Sequence, residues 1–113
     1  MADERINQYY KLLFISVLFS SICLLDTIYV IGSGLEPYTI EVNPVAKDLY
    51  KDGKYLYSVV NWTVGWAIVL SFAKFLEKYF DEKLLRFFVS LIFVLVVLDF
   101  STHVSYWTDR LLP

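Results

Sequence analysis

Hydrophobic positions gather into three long stretches, about Leu12 to Ile31, Tyr57 to Leu76 and Leu84 to Trp107, separated by segments in which charged and turn-forming residues dominate. Each stretch reaches the ~20 apolar residues that a helix needs to cross a hydrocarbon core of roughly 30 Å. The pattern predicts an all-α fold: an integral membrane three-helix bundle, residues 1-113 forming one transmembrane domain. Glu77-Lys78-Tyr79-Phe80-Asp81-Glu82-Lys83 is a short charged turn, which makes the second and third spans an antiparallel hairpin. The segment 32-54 is too polar to span and longer than helix connections usually run. It is read as an interfacial loop or helix, with Asn43 as N-cap and Pro44 in the first helical position, where a missing N–H costs nothing. The leader MADERINQYYK carries Asp3 and Glu4, and no small-x-small cleavage pattern follows the first apolar run, so this span is expected to be retained.

Composition narrows the function classes. The chain is 58% hydrophobic and 19% aromatic in 113 residues, which leaves no room for a water-facing catalytic domain beside three spans. A net charge of -2 with scattered lysines gives no concentrated basic face, so nucleic acid is not an expected partner. The single cysteine, Cys23, excludes an internal disulfide and a thiolate-rich metal site, and reads as a small packing residue. No Walker loop, dinucleotide fingerprint, nucleophile elbow or Cys-x-x-Cys supports a cofactor enzyme. The expected partners are membrane lipid and other integral-membrane subunits. Arg5, Lys11, Lys74, Lys78, Lys83 and Arg86 fall on one side of the membrane, against Lys47, Lys51, Lys54 and Arg110 on the other, which favours a cytoplasmic N-terminus and an external C-terminus.

Polar residues inside the spans carry the candidate chemistry, because an ionisable group in a bilayer is costly and turns toward protein or water. At about 1.5 Å per residue, Asp26 lies roughly 21 Å along the first span and Asp99 roughly 22 Å along the third, and both run the same way. Asn61, near the start of the oppositely directed second span, belongs at the same surface, and the loop carrying Glu41 and Asn43 covers it. Asp26, Glu41, Asn43, Asn61, Asp99 and His103 therefore form the expected polar cluster or subunit contact. Asp99, His103 and Tyr106 share one helix face. Asp99 and His103, one turn apart, have the spacing of two ligands to one metal, with Asp26 or Glu41 as the third; such an oxygen-rich set suits magnesium, manganese or iron better than structural zinc. The same spacing equally lets Asp99 and His103 hydrogen-bond each other and tie helices together.

Small residues mark the expected helix contacts. Ser16, Ser20, Cys23 and Thr27 recur at i, i+4, i+7 and i+11, and Thr63, Ala67 and Ser71 form an i, i+4 series near Gly65, stripes of the kind that let helices approach closely in lipid. Trp62, Trp66 and Tyr57 mark the entry end of the second span, and Tyr29, Tyr38, Tyr55, Tyr57, Trp62, Tyr106 and Trp107 read as an aromatic belt at one interface, Tyr9, Tyr10, Tyr79 and Phe80 at the other. Asp3, Glu4, Glu77, Asp81 and Glu82 read as solvated ends. Asn61-Trp62-Thr63 matches a glycosylation acceptor, but its place at the membrane boundary favours capping or packing.

Two resemblances rest on particular residues. Leu25-Asp26-Thr27, the small-residue break at Gly32 and Gly34, and Glu41-Val42-Asn43-Pro44 together resemble the small uncharacterised prokaryotic membrane proteins of the DUF5658 type, which carry an acid late in a first helix and an E-x-N-P or E-N-P element after it. That likeness implies a linked unit of Asp26, Glu41, Asn43 and Pro44 and supplies no activity. Asp99-x3-His103 is similar to the opening of the Asp-x3-His-x12-His copper-ligand pattern of copper membrane monooxygenase C subunits, over two ligand positions only, since no second histidine follows. The reading that joins these features is a noncatalytic accessory subunit that packs in and stabilises a larger integral-membrane complex, an oxidoreductase such as a membrane monooxygenase among the candidates. The alternatives are a small metal-binding membrane protein or enzyme using Asp26, Glu41, Asp99 and His103, and an oligomeric ion or proton transporter.

Overall fold

The computed structural model describes residues 2–32 and 55–112, and among these it contains three helices and no strand: α1 (Ala2–Gly32, 31 residues), α2 (Tyr55–Tyr79, 25 residues) and α3 (Glu82–Leu111, 30 residues). All three are long and apolar enough to cross a membrane, which makes this an integral membrane protein with lipid-facing helices. Much of the outer surface is large apolar side chains such as Phe14, Leu18, Leu25, Ile68, Phe87, Leu95 and Leu98. The interfacial segment expected over 32-54, with Glu41, Asn43 and Pro44, lies outside the described residues apart from Gly32.

The helices overrun the apolar stretches at both ends. α1 takes in most of the leader, and the charged turn shrinks to Phe80 and Asp81. The reasons are local. Asp81 in extended backbone caps α3 by accepting from the Leu84 amide at 3.0 Å, and the Phe80 amide still donates to the Leu76 carbonyl at 2.9 Å, so little chain is left to turn. So short a link forces α2 and α3 antiparallel, and α1 lies parallel to α3 and packs most extensively on it.

Burial follows a repeat that is plain in all three helices. The inward positions are Leu13, Ser16, Ser20, Cys23, Thr27 and Val30 in α1, Val59, Trp62, Trp66, Val69, Ala73 and Leu76 in α2, and Leu85, Val89, Ile92, Val96, Asp99, His103 and Tyr106 in α3, each buried or half-buried. Their spacing alternates strictly between three and four residues, the seam that keeps neighbouring helices in contact along their length. At the α2–α3 turn the seam is apolar: Leu13, Ala73, Leu76, Leu85 and Val89 form a buried cluster, with Ile6, Leu12, Val69, Phe88 and Ile92 against it. Midway, Phe19 meets Phe100 edge to face at 5.0 Å. Toward the far end the seam turns polar, and that change positions the site.

Candidate functional site

The α1 half of the seam is small and hydroxylated, and its hydroxyls are satisfied within the helix. Ser16 donates to the Leu12 carbonyl (2.9 Å) and Thr27 to the Cys23 carbonyl (2.9 Å), so both bury completely without needing a partner from another helix. Ser20 differs: its oxygen accepts the indole N–H of both Trp62 (2.8 Å) and Trp66 (3.1 Å), pinning α2 to α1. These two tryptophans therefore tie helices together, where the sequence pattern set them as markers of the second span's entry end.

One turn further, α1 and α3 bring four ionisable or thiol side chains together. Asp26, beside the seam, receives two hydrogen bonds from α3: its Oδ2 lies 2.6 Å from His103 Nδ1, and its Oδ1 accepts from Trp107 Nε1 at 2.7 Å. A carboxylate that accepts here takes the hydrogen on Nδ1, and in the neutral ring that tautomer leaves Nε2 with its lone pair. The His103 side chain is 5% exposed, and Nε2 has no hydrogen-bond partner. It faces Asp99 Oδ1 at 3.9 Å, beyond hydrogen-bond reach, and that oxygen is likewise buried without a partner. The direct Asp99–His103 hydrogen bond that the spacing allowed is thus not made, because Asp26 holds the ring by its other nitrogen. Cys23, 2% exposed, faces the same point from α1, its thiol hydrogen-bonded to the Asp99 carboxyl. Donor atoms of Cys23, Asp99 and His103 all lie within 4.8 Å of one another. Tyr106, next on the α3 seam, carries the third buried polar atom without a hydrogen-bond partner, its hydroxyl oxygen.

Of the residues expected in the polar cluster, Asp26, Asp99 and His103 meet. Asn61 is half-buried on α2 and takes no part in the Asp26–His103–Trp107 hydrogen bonds, and Glu41 and Asn43 lie outside the described residues. Cys23 was expected only as a packing residue; its seam position, three residues before Asp26, was the available signal. The α2 small-residue face expected for helix packing lies outside the chain's own bundle: Gly65, Ala67 and Ser71 are exposed with Thr63, and a Cβ on Gly65 would meet nothing within 4 Å. α2 packs inward through the tryptophan and apolar seam instead.

Of the acids expected to be solvated, Glu77 and Glu82 are half-buried and take partners. Glu82 accepts from Tyr9 (2.9 Å) and pairs with Arg5 (2.7 Å), while Glu77 accepts from Tyr10 (2.5 Å) and lies 3.6 Å from Lys74. These contacts draw the leader into α1 and join it to the α2–α3 turn. The chain matches no family model, no curated protein and no solved structure.

Proposed function

We propose that this chain is a noncatalytic accessory subunit, packing through α2 against a transmembrane helix of another subunit and stabilising a larger integral-membrane complex. One observation carries the reading: Thr63, Ala67 and Ser71, a run of small residues at four-residue spacing, face away from the chain's own bundle. Ala67 and Ser71 floor a shallow groove edged by Val64, Ile68 and Phe72. A small face of this kind lets a second helix backbone approach closely, and van der Waals packing of that sort is what holds helices together in lipid. The Thr63 hydroxyl donates to the Val59 carbonyl at 2.9 Å, so covering that side chain leaves its donor met. The basic residues near the α2–α3 turn support a cytoplasmic placing of that end.

The test is native extraction in mild detergent followed by mass measurement. A complex of fixed stoichiometry larger than this chain is expected, and Ala67→Phe should release the chain as a monomer while leaving its own thermal unfolding unchanged, since that side chain touches no internal seam. A monodisperse free monomer from the unmodified chain overturns the reading.

A further inference from the structure

We propose that Cys23, Asp99 and His103 bind one divalent transition-metal ion of the zinc class between α1 and α3, with Asp26 positioning the histidine. The proposal goes beyond the accessory-subunit reading and is independent of it.

Two of the three donors have an atom left unpaired, and these atoms face each other. His103 Nε2 and Asp99 Oδ1 are buried, unpartnered and 3.9 Å apart. Neither can satisfy the other at that distance, and a buried polar atom left unmet costs about 1–3 kcal/mol. An ion between them meets both. Zinc bonds of about 2.0–2.3 Å in a tetrahedron set ligand atoms roughly 3.3–3.8 Å apart, so donors within 4.8 Å of one another need to close by only about 1 Å. Charge points the same way: a divalent ion offsets the thiolate and the carboxylate that would bind it, which lowers the cost of holding both in a low-dielectric bundle. Binding releases the Cys23 thiol proton to solvent.

The surroundings match the way metal-bound histidines are held. Such a ring typically donates its second N–H to a carboxylate, which fixes the tautomer and orientation. Asp26 does this at 2.6 Å and is itself held by Trp107. The donor set names the class of ion. One sulfur and one imidazole nitrogen disfavour magnesium and calcium, which take oxygen ligands, and suit zinc and its first-row neighbours. The oxygen-rich set expected from sequence is replaced because Cys23 faces Asp99 and His103, while Asp26 binds the ring.

The experiment uses the full chain in detergent, stripped with a chelator and titrated with Co²⁺, whose spectrum reports a thiolate ligand, followed by Zn²⁺ competition. One ion per chain is expected, with a thiolate-to-cobalt charge-transfer band that zinc abolishes. Cys23→Ser, nearly the same size, should lose the band and at least ~10-fold in affinity. Asp26→Asn presents an amide donor to Nδ1, favours the tautomer with hydrogen on Nε2, and should weaken binding roughly 10–100-fold while the band persists at saturation. Absence of the band in the unmodified chain at every Co²⁺ concentration, or equal binding by Cys23→Ser, overturns the proposal. The band in the unmodified chain decides the matter even where a variant fails to fold.

Discussion

At the end where α1 begins and α2 turns into α3, the half-buried acids are answered by cations and hydroxyls: Glu82 by Arg5 and Tyr9, Glu77 by Lys74 and Tyr10, with the Lys74 ammonium also 4.7 Å from the Tyr10 ring centre. At the opposite end Asp26 has two donors, yet Asp99 Oδ1 and His103 Nε2 remain unmet in a site where the histidine is almost wholly enclosed. The first end has the composition of a structural clasp: partly exposed, charge-matched and closed. The second leaves buried hydrogen-bonding atoms unused and, among the described residues, has no ion pair to a lysine or arginine. Polar groups in a helix contact thus divide by whether their hydrogen-bonding capacity is used up.

Removing the acceptor of the second end should have the largest effect. Asp26→Leu leaves the His103 Nδ1–H and the Trp107 indole without their partner, one fully buried and one half-buried. At about 1–3 kcal/mol for each stranded donor, a loss of about 2–5 kcal/mol is expected. Thermal or denaturant unfolding in detergent measures it. A loss below ~1 kcal/mol would show that the Asp26 contacts carry no more weight than a surface pair.

A middling effect is expected between the two ends, at Ser20. Its oxygen is the common acceptor for Trp62 and Trp66, so Ser20→Ala frees two indole N–H groups at once. Hydrogen bonds between membrane helices average about 0.6 kcal/mol and reach about 1.7, so a loss of about 1–2 kcal/mol follows. Increased solvent quenching of tryptophan emission would locate the change on α2. An unaltered spectrum and stability would mean that α2 is held by its apolar seam alone.

The contrast between ends also explains what could be read in the sequence. Three long apolar stretches fix three helices because nothing but a helix satisfies its own backbone in lipid, and helix rise alone brought Asp26, Asp99 and His103 to one depth. What escaped was the direction of individual side chains. Uniformly apolar spans hide the three-four seam, since Leu18 on the outside and Leu13 on the inside are the same residue type. Trp62 looked like an interface anchor because its partner, Ser20, lies 42 residues away on another helix. Cys23 became a candidate ligand only when α3 was seen packed against it. Glu77 and Glu82 looked solvated because charged residues at a turn usually are, and Tyr9 and Tyr10, whose hydroxyls donate to them, fell in what read as a flanking leader.

The smallest effect is predicted at the clasp. Arg5 and Glu82 have side-chain exposures of 59% and 32%, so water and salt screen their attraction. Glu82→Gln keeps an oxygen that can still accept from Tyr9 and removes only the charge, and the loss should be under ~1 kcal/mol. A double-mutant cycle with Arg5→Gln isolates the pair, with an expected coupling of about 0.2–1 kcal/mol that fades as ionic strength rises. The same salt should leave the effect of Asp26→Leu unchanged, because solvent ions do not reach the His103 contact. A coupling above ~2 kcal/mol, or one insensitive to salt, would show the turn end to be as shielded as the buried one and remove the distinction between a closed clasp and an open site.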